Sequence, residues 1–185
     1  FCNLCLSGEI PQPIRPLFFG ASLIALSKKD SGIRAIAIGL ALRCRVARVA
    51  CATVPNRVAC LLSPIQVGLG VHGGAEAAVH AARRFLSSSN STIGLLKLDF
   101  ANAFNTIDRS CIFEAVEKHL PELACFVRSS YGSNSNPLFG QFRIESACGV
   151  QQGDPLGHLL FSLAVQHISH STKTTPEFRV WYLDD

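Results

Sequence analysis

Two apolar, strand-like segments of this chain each carry aspartate near the end, and this pairing constrains the fold more than any other feature. Residues 93–100 contain Asp99, and residues 178–184 end in Asp184, which Asp185 follows. An ionised carboxylate at the end of an apolar strand is costly unless a cation or a hydrogen-bond donor meets it. We therefore expect the two strands to lie side by side in one sheet, with their carboxylates gathered at one edge.

A gathered set of carboxylates points to a divalent cation. Like charges repel one another in such a site unless a metal ion neutralises them. Oxygen ligands favour Mg²⁺ or Mn²⁺ over zinc, and the simplest chemistry for the site is two-metal phosphoryl or nucleotidyl transfer. Any one of the three aspartates standing alone would be interpreted as a solvated acid at a strand end.

The composition is that of a globular intracellular protein. Of the 185 residues, 48% are hydrophobic and 16% are charged, which supports one sizeable core and excludes an intrinsically disordered chain. No uninterrupted apolar run approaches the roughly 18 residues of a transmembrane helix, so we expect no membrane association. The eight cysteines are scattered, many of them in apolar contexts, which predicts buried free thiols. The pattern does not distinguish a nuclear from a cytoplasmic location.

The two ends suggest a piece of a longer polypeptide. The sequence contains no methionine, and the Asp184-Asp185 pair ends it with no cap or tail. We therefore expect a fragment whose other domains lie elsewhere in the full-length polypeptide.

A basic β-hairpin is predicted near the N-terminus. Two β-leaning runs, residues 22–26 and 33–38, flank a short turn that contains Lys28 and Lys29, and Arg34 lies in the second run. The net charge of the chain is +4, and basic residues are concentrated in this region. The simplest interpretation is a solvated surface, which becomes a phosphate-binding surface only if a polymer substrate is argued independently.

Helical periodicity predicts the elements that cover the sheet. Asp154 followed by Pro155 is a strong helix start, because an acidic N-cap precedes proline at the first helical position. Asp108 is the N-cap of another predicted helix. A glycine-punctuated loop over residues 68–74 lacks the G-x-G-x-x-G spacing of a phosphate-binding turn, so no such role is assigned to it. The predicted helices span residues 40–52, 75–86, 108–120, 122–131 and 154–169, and a hairpin arm spans residues 137–144.

Four sequence blocks now stand in a fixed order: the basic hairpin, the Asp99 strand, a turn over residues 151–157, and the terminal element over residues 182–185. This order resembles the fingers and palm of reverse transcriptases, and most closely those of non-LTR, LINE-like retrotransposons. In that family the aspartate strand reads much like residues 98–105, and the terminal motif, YxDD, is an aromatic residue, any residue and two aspartates. The resemblance covers residues 23–185, nearly the whole chain.

The resemblance implies an α+β polymerase right hand, in which an antiparallel palm sheet is backed by helices. Partial fingers would span residues 1–74, and the palm would span residues 75–185, truncated after the YxDD motif. The implied activity is RNA-directed DNA synthesis, with an RNA template, a DNA primer and deoxynucleoside triphosphates (dNTPs). Because the thumb and the strand after Asp185 are missing, we expect this fragment alone to be nearly inactive.

The resemblance also assigns catalytic roles to the three aspartates. Asp99 and Asp184 would hold two Mg²⁺ (or Mn²⁺) ions roughly 3.5–4 Å apart, one activating the primer 3′-hydroxyl and one clamping the triphosphate. Asp185 is the third catalytic and metal-binding candidate and would support the site less directly.

Further residues are implied in nucleotide binding. Arg34, with Lys28 or Lys29 beside it, would contact the triphosphate. Gly153 has no side chain and would let the backbone approach the nascent base pair, where Gln152 donates and accepts hydrogen bonds. Phe104 would stand under the incoming sugar and exclude a 2′-hydroxyl. A plain helix start would also account for the Gln152-Gly153 turn, and a core side chain for Phe104.

Three positions depart from the family pattern, and two alternatives stay open. Ala35 and His158 stand where proline is usual, and Asn105 where aspartate is common; none of the three is an expected metal ligand. An RNA-dependent RNA polymerase shares the palm, but Phe104 argues against it. The other alternative is an inactive retroelement remnant that persists as a nucleic-acid-binding pseudo-polymerase. The intact aspartates disfavour that reading, whereas the two cut ends favour it.

Overall fold

A computed structural model describes residues 1–28, 32–88, 93–133, 135–170 and 178–184 of the chain. Over these ranges the protein has a mixed α+β architecture, with a four-stranded sheet backed by helices. The predicted α+β class is confirmed. No helix of the described residues is both long and apolar enough to cross a membrane.

Most elements begin and end close to where the sequence pattern places them. The helices are α1 (Cys2–Leu6), α2 (Arg15–Phe18), α3 (Ala41–Thr53), α4 (Pro55–Leu62), α5 (Gly74–Ser88), α6 (Ala103–Thr106), α7 (Arg109–His119), α8 (Pro121–Tyr131) and α9 (Gly157–His170). The strands are β1 (Ala21–Ser27), β2 (Ile33–Gly39), β3 (Leu138–Phe139) and β4 (Phe142–Arg143). A short 3₁₀ turn, Gln12–Ile14, precedes α2.

The predicted hairpin forms and leads the sheet. β1 and β2 pair antiparallel from Ala21 opposite Gly39 to Ser27 opposite Ile33. The sheet order is β2-β1-β3-β4, and the β3–β4 hairpin joins β1 through a parallel pairing of Ser22 with Leu138. β-Leaning, mostly apolar residues on both sides of a short turn account for the pairing, and most residues of the two strands are exposed.

The core lies among the helices. α7 packs against both α8 and α9, and α1 packs against α3 and α8. The side chains that fill this space are apolar residues at helical spacing, as expected for faces turned toward a common centre. The largest of the fully buried side chains are Tyr131, Phe126, Phe161, Ile112, Leu120, Leu123, Leu156, Leu160, Leu163, Val46, Val116 and Val127.

The cysteines only partly follow the prediction. All eight are free thiols, as expected, but Cys60, Cys125 and Cys148 are exposed and only Cys5 is buried. The prediction of buried thiols is therefore wrong for the exposed three. Apolar neighbours in sequence do not fix burial, because helix faces alternate between core and solvent.

The prediction of two acidic strands is wrong. Neither residues 93–100 nor residues 178–184 form a regular strand, and Leu95 and Leu96 are 70% and 79% exposed. The terminal segment pairs elsewhere: Trp181 bridges to Gln66 in parallel, and its N–H and C=O bond to residues 65 and 67. An apolar run favours an extended backbone, but it does not determine which other segment will form the backbone hydrogen bonds of a sheet with it.

The N-cap of α7 generates a test of stability against pH. The Asp108 carboxylate accepts a hydrogen bond of 2.8 Å from the Ser110 backbone N–H, and this bond lowers the pKa of Asp108. A lowered pKa means that the stabilisation is present near neutral pH and is lost as the pH falls through the folded-state pKa. Asp108→Ala should therefore lower the urea midpoint at pH 7, and the difference from wild type should shrink in acid.

Asp108→Asn is the control, because asparagine also caps a helix but carries no titrating carboxylate. It should leave the midpoint near that of wild type at pH 7, and it should show no acid-dependent loss of the cap. A difference between wild type and Asp108→Ala that stays constant from neutral to acid pH would contradict the assigned cap.

Candidate active site

The turn before α9 is fixed directly on the edge of β2. The backbone N–H of Ala37 donates to the carbonyl oxygen of Gln152 at 2.7 Å. Gly153 has a φ of +122°, and a Cβ atom at this position would lie 2.5 Å from the carbonyl oxygen of Ala37. Glycine is therefore required here by both the backbone conformation and the close approach of β2.

A buried ion pair lies behind this turn. The Arg43 guanidinium on α3 contacts the Asp154 carboxylate at 2.5 Å, and the two side chains are only 3% and 2% exposed. Arg43 also donates to the side-chain oxygen of Gln151, and the Tyr131 hydroxyl donates to the same Asp154 carboxylate. Asp154 also caps the turn, since one of its oxygens accepts the Leu156 N–H at 3.0 Å. These bonds tie α3, α8 and the start of α9 to one point.

The electrostatics of this group keep Arg43 charged and Tyr131 neutral. Burial opposes the charge on Arg43, but Tyr131 and Asp154 outweigh it and raise the pKa of the guanidinium. Burial, and then the neighbouring Asp154, raises the pKa of Tyr131 far above its ordinary value, so its hydroxyl stays a neutral donor. The same two causes raise the pKa of Cys51 to about 11.

A second buried arginine holds the segment that leads into the turn. Arg109 donates to the carbonyl oxygens of Gly149 at 3.1 Å and of Cys148 and Tyr131 at 3.4 Å, and to the Ser146 hydroxyl at 3.1 Å. Burial lowers the pKa of Arg109, yet guanidinium remains charged at any pH at which proteins fold. Main-chain carbonyl oxygens therefore compensate this charge. Their hydrogen bonds to Arg109 also hold the backbone of this segment in place.

Neither arginine is among the residues predicted from the sequence, although the sequence carries a signal for Arg43. Arg43 lies three and four residues before Val46 and Ala47, and seven before Ala50, all of which are fully buried. Positions with this spacing share one face of a helix. A cation on a buried apolar face requires a carboxylate partner, so this spacing is a signal that could have indicated an acid in the core.

The segments that carry Asp99 and Asp184 meet, although not as strands. The Phe100 N–H donates to the Asp184 carbonyl oxygen at 3.3 Å, and the Phe100 ring stacks on Trp181 with centroids 5.8 Å apart. Asp99 is exposed and Asp184 is half-buried, whereas Asp185 lies outside the described residues. The structure thus brings the segments of two of the three predicted carboxylates together.

The donor chemistry of these residues fits a divalent cation. Carboxylate oxygens on adjoining segments are the ligands that Mg²⁺ and Mn²⁺ prefer. Within the described ranges no group of three or more His, Cys, Asp or Glu side chains is assembled to hold a metal ion. The metal assignment to Asp99, Asp184 and Asp185 therefore stays a prediction.

The predicted triphosphate contacts lie on the exposed hairpin. Arg34 and Lys28 are exposed, and Lys29 lies outside the described residues. Arg34 is on the same strand as Ala37, three residues away, which corresponds to roughly 10 Å along an extended chain. Ala37 contacts the Gln152-Gly153 turn. β2 therefore connects Arg34, a predicted triphosphate contact, with the predicted base-pair contacts in that turn.

Phe104 is half-buried beside the core. Its ring lies 4.5 Å from that of Phe161 and 5.3 Å from that of His158, measured between centroids. Its carbonyl oxygen accepts the Val150 N–H at 2.7 Å, which links it to the segment before the turn. These contacts suit either predicted role, a sugar contact or a core side chain.

A cavity of about 940 Å³ lies elsewhere, between α2, the β1–β2 hairpin, α8 and the β3–β4 hairpin. Its walls include Arg15, Arg128 and Arg143. None of the predicted site residues that the structure describes lines it. The cavity is therefore separate from the predicted site.

Comparison with protein families shows which family the chain belongs to. Residues 26–185, well over half of the chain, match the family described as Reverse transcriptase (RNA-dependent DNA polymerase). The chain belongs to this reverse transcriptase family. A search of curated proteins gave no match.

Membership in the reverse transcriptase family settles the class of chemistry. The family's enzymes are nucleotidyltransferases that synthesise DNA on an RNA template. Such a domain implies a nucleic-acid template and primer and dNTP substrates, and its relatives generally use divalent metal ions. The match runs from β1 to the terminal aspartates, so it includes each predicted site residue.

The contact between Gly153 and β2 generates a second test. Gly153→Ala should destabilise the fold by roughly 1–3 kcal/mol, because it adds a Cβ clash to an unfavourable φ. The free energy of unfolding, measured in urea, checks this value.

Gly140→Ala is the matched control, because Gly140 also has a positive φ of +58° but open space around the added Cβ. It reports the backbone penalty without the clash. Equal losses in the two variants would contradict the close approach of β2 to the turn.

Proposed function

We propose that this chain is the fingers and palm region of the reverse transcriptase of a non-LTR, LINE-like retrotransposon. Residues 1–74 would belong to the fingers and residues 75–185 to the palm. The reaction is transfer of a nucleotide from a dNTP to the 3′-hydroxyl of a DNA primer paired with an RNA template. The observation that carries the proposal is the hydrogen bond between Phe100 and Asp184, which joins the two aspartate segments in a chain of this family.

The proposed catalytic residues are Asp99, Asp184 and Asp185, which would hold Mg²⁺ or Mn²⁺ through carboxylate oxygens. Bound divalent ions would activate the primer hydroxyl and stabilise charge on the phosphoryl oxygens. The contribution of the chain is to present the carboxylates. Support comes from the contacts that seat the Phe100 backbone against Asp184 and the Phe100 ring against Trp181.

The proposed nucleotide contacts surround the turn on β2. Arg34 and Lys28 would bind the triphosphate through charge-assisted hydrogen bonds. Gln152 and Gly153 would present a flat backbone surface to the nascent base pair. The hydrogen bond from Ala37 to Gln152 supports this grouping, because it holds the turn and the basic strand in a fixed relation.

Primer extension on an RNA template tests the proposal. The full-length gene product should incorporate dNTPs in the presence of Mg²⁺ or Mn²⁺. Asp184→Asn should reduce incorporation by about 100-fold or more, because several kcal/mol of charge stabilisation in the transition state is lost.

Asp108→Asn is the control for Asp184→Asn. Asp108 is an exposed carboxylate at the start of α7, and asparagine is also a good N-cap, so the activity should be unchanged. Template binding by the wild type without any dNTP incorporation would refute the enzymatic proposal and favour a pseudo-polymerase.

The proposed sugar contact of Phe104 makes a separate prediction. Phe104→Val should raise the kcat/KM for ribonucleotides relative to deoxynucleotides on the order of tenfold or more, because the steric barrier to a 2′-hydroxyl is removed. Steady-state kinetics with both nucleotide types measures this ratio.

Phe161→Leu is the matched control, because it removes the ring against which Phe104 packs but leaves Phe104 in place. Both variants should lower stability, since each loses buried apolar contacts. An unchanged nucleotide ratio in Phe104→Val, with lowered stability, would assign Phe104 to the core alone.

A further inference from the structure

Leu183 has a backbone conformation that side-chain-bearing residues rarely adopt. Its φ is +58°, in the left-handed region, and it stands directly before the proposed catalytic residue Asp184. Left-handed conformations are unfavourable for leucine and persist only when the surrounding structure enforces them. Some contact must therefore hold this turn in place.

Gln66 supplies that contact. Its side chain is buried, and its carboxamide bonds both backbone groups of Leu183: the Leu183 N–H donates to Oε1 at 2.8 Å, and Nε2 donates to the Leu183 carbonyl oxygen at 3.1 Å. The same Oε1 accepts the Gly68 N–H at 2.9 Å, which orients the carboxamide. One side chain thus satisfies both polar backbone groups of the strained residue.

The backbone around Gln66 strengthens the attachment. The Trp181 N–H donates to the Ile65 carbonyl oxygen, and the Val67 N–H donates to the Trp181 carbonyl oxygen, both at 2.8 Å. At Gly68 an added Cβ would lie 2.6 Å from the Leu183 nitrogen, so only glycine lets the two segments approach this closely. The start of the glycine-punctuated loop fits no phosphate-binding motif. Its role in the structure is to pack against the turn at Leu183.

We infer that Gln66 is a positioning residue for catalysis: its carboxamide holds Leu183 in the left-handed conformation and thereby fixes Asp184 beside the Asp99 segment. The inference rests on the proposed function, because it takes Asp184 as a catalytic carboxylate. It extends that function to a residue that is distant in sequence and has no acidic or basic group.

Hydrogen exchange at the Leu183 amide tests the inference without any assay of activity. Gln66→Met keeps the length of the side chain but removes its donor and its acceptor. Exchange of the Leu183 N–H should become about tenfold faster or more, because its hydrogen-bond partner is lost. Unchanged exchange at Leu183 would overturn the inference.

Mn²⁺ binding to the full-length gene product, followed by electron paramagnetic resonance, provides the functional readout. Asp184→Asn should abolish Mn²⁺ binding. Gln66→Met should weaken Mn²⁺ binding by about 10–100-fold, which is the usual effect of removing a residue that orients a metal ligand. Wild-type Mn²⁺ affinity in Gln66→Met would also overturn the inference. If the wild type and Asp184→Asn bind Mn²⁺ equally, the proposed metal site fails, and Leu183 exchange still decides the role of Gln66.

Two controls separate positioning from general stability. Gln141→Met changes an exposed glutamine between β3 and β4 and should alter neither readout. Ile112→Val weakens the fully buried core and should lower the urea midpoint with no change in Mn²⁺ affinity.

Leu183→Asn provides a rescue, because asparagine adopts the left-handed conformation more readily than leucine. In the Gln66→Met background it should recover part of the lost Mn²⁺ affinity. If Gln66 only satisfied buried backbone groups, the effects of Gln66→Met and Leu183→Asn on Mn²⁺ affinity would simply add. Additive effects in the double variant would therefore refute the positioning role.

Discussion

The buried ion pair between Arg43 and Asp154 is the interaction on which the arrangement of this reverse transcriptase domain depends. It joins α3, which continues from the hairpin, to the turn before α9, and the Tyr131 hydroxyl adds α8. Removing one partner of such a pair leaves an uncompensated buried charge and typically costs about 3–5 kcal/mol. The pair therefore holds the hairpin that carries Arg34 and the Gln152-Gly153 turn, two parts of the proposed site, in a fixed relation.

The elements that the sequence predicted well are those whose signals are local. Asp108 caps α7, Pro121 begins α8, and the run on either side of residues 29–31 forms the β1–β2 hairpin. Each depends on a cap, a proline or two β-leaning runs on either side of a short turn. The acidic segments were not predicted as well, because the pairing of Trp181 with residues 65–67 is decided by tertiary contacts.

The candidate site divides in the same way. Motifs indicated the aspartates, Arg34 and the Gln152-Gly153 turn, since these residue types suit nucleotide chemistry in that order along the chain. They did not indicate Gln66 or Arg109, whose hydrogen bonds go to main-chain groups far away in sequence. When a neutral amide or a cation hydrogen-bonds only to backbone groups, the sequence contains no complementary side chain that would reveal the contact.

The position of Cys51 has a consequence for chemical labelling. Its sulfur lies 3.5 Å from the Pro155 carbonyl oxygen, close to the Arg43–Asp154 pair, and its raised pKa of about 11 leaves roughly one thiol in 10⁴ ionised at pH 7. Alkylating reagents attack thiolates, so the exposed Cys60, Cys125 and Cys148 react first. Cys51 is partly exposed and contacts the start of α9, so its modification should be slow and should become faster in a variant that weakens the contact between α3 and α9.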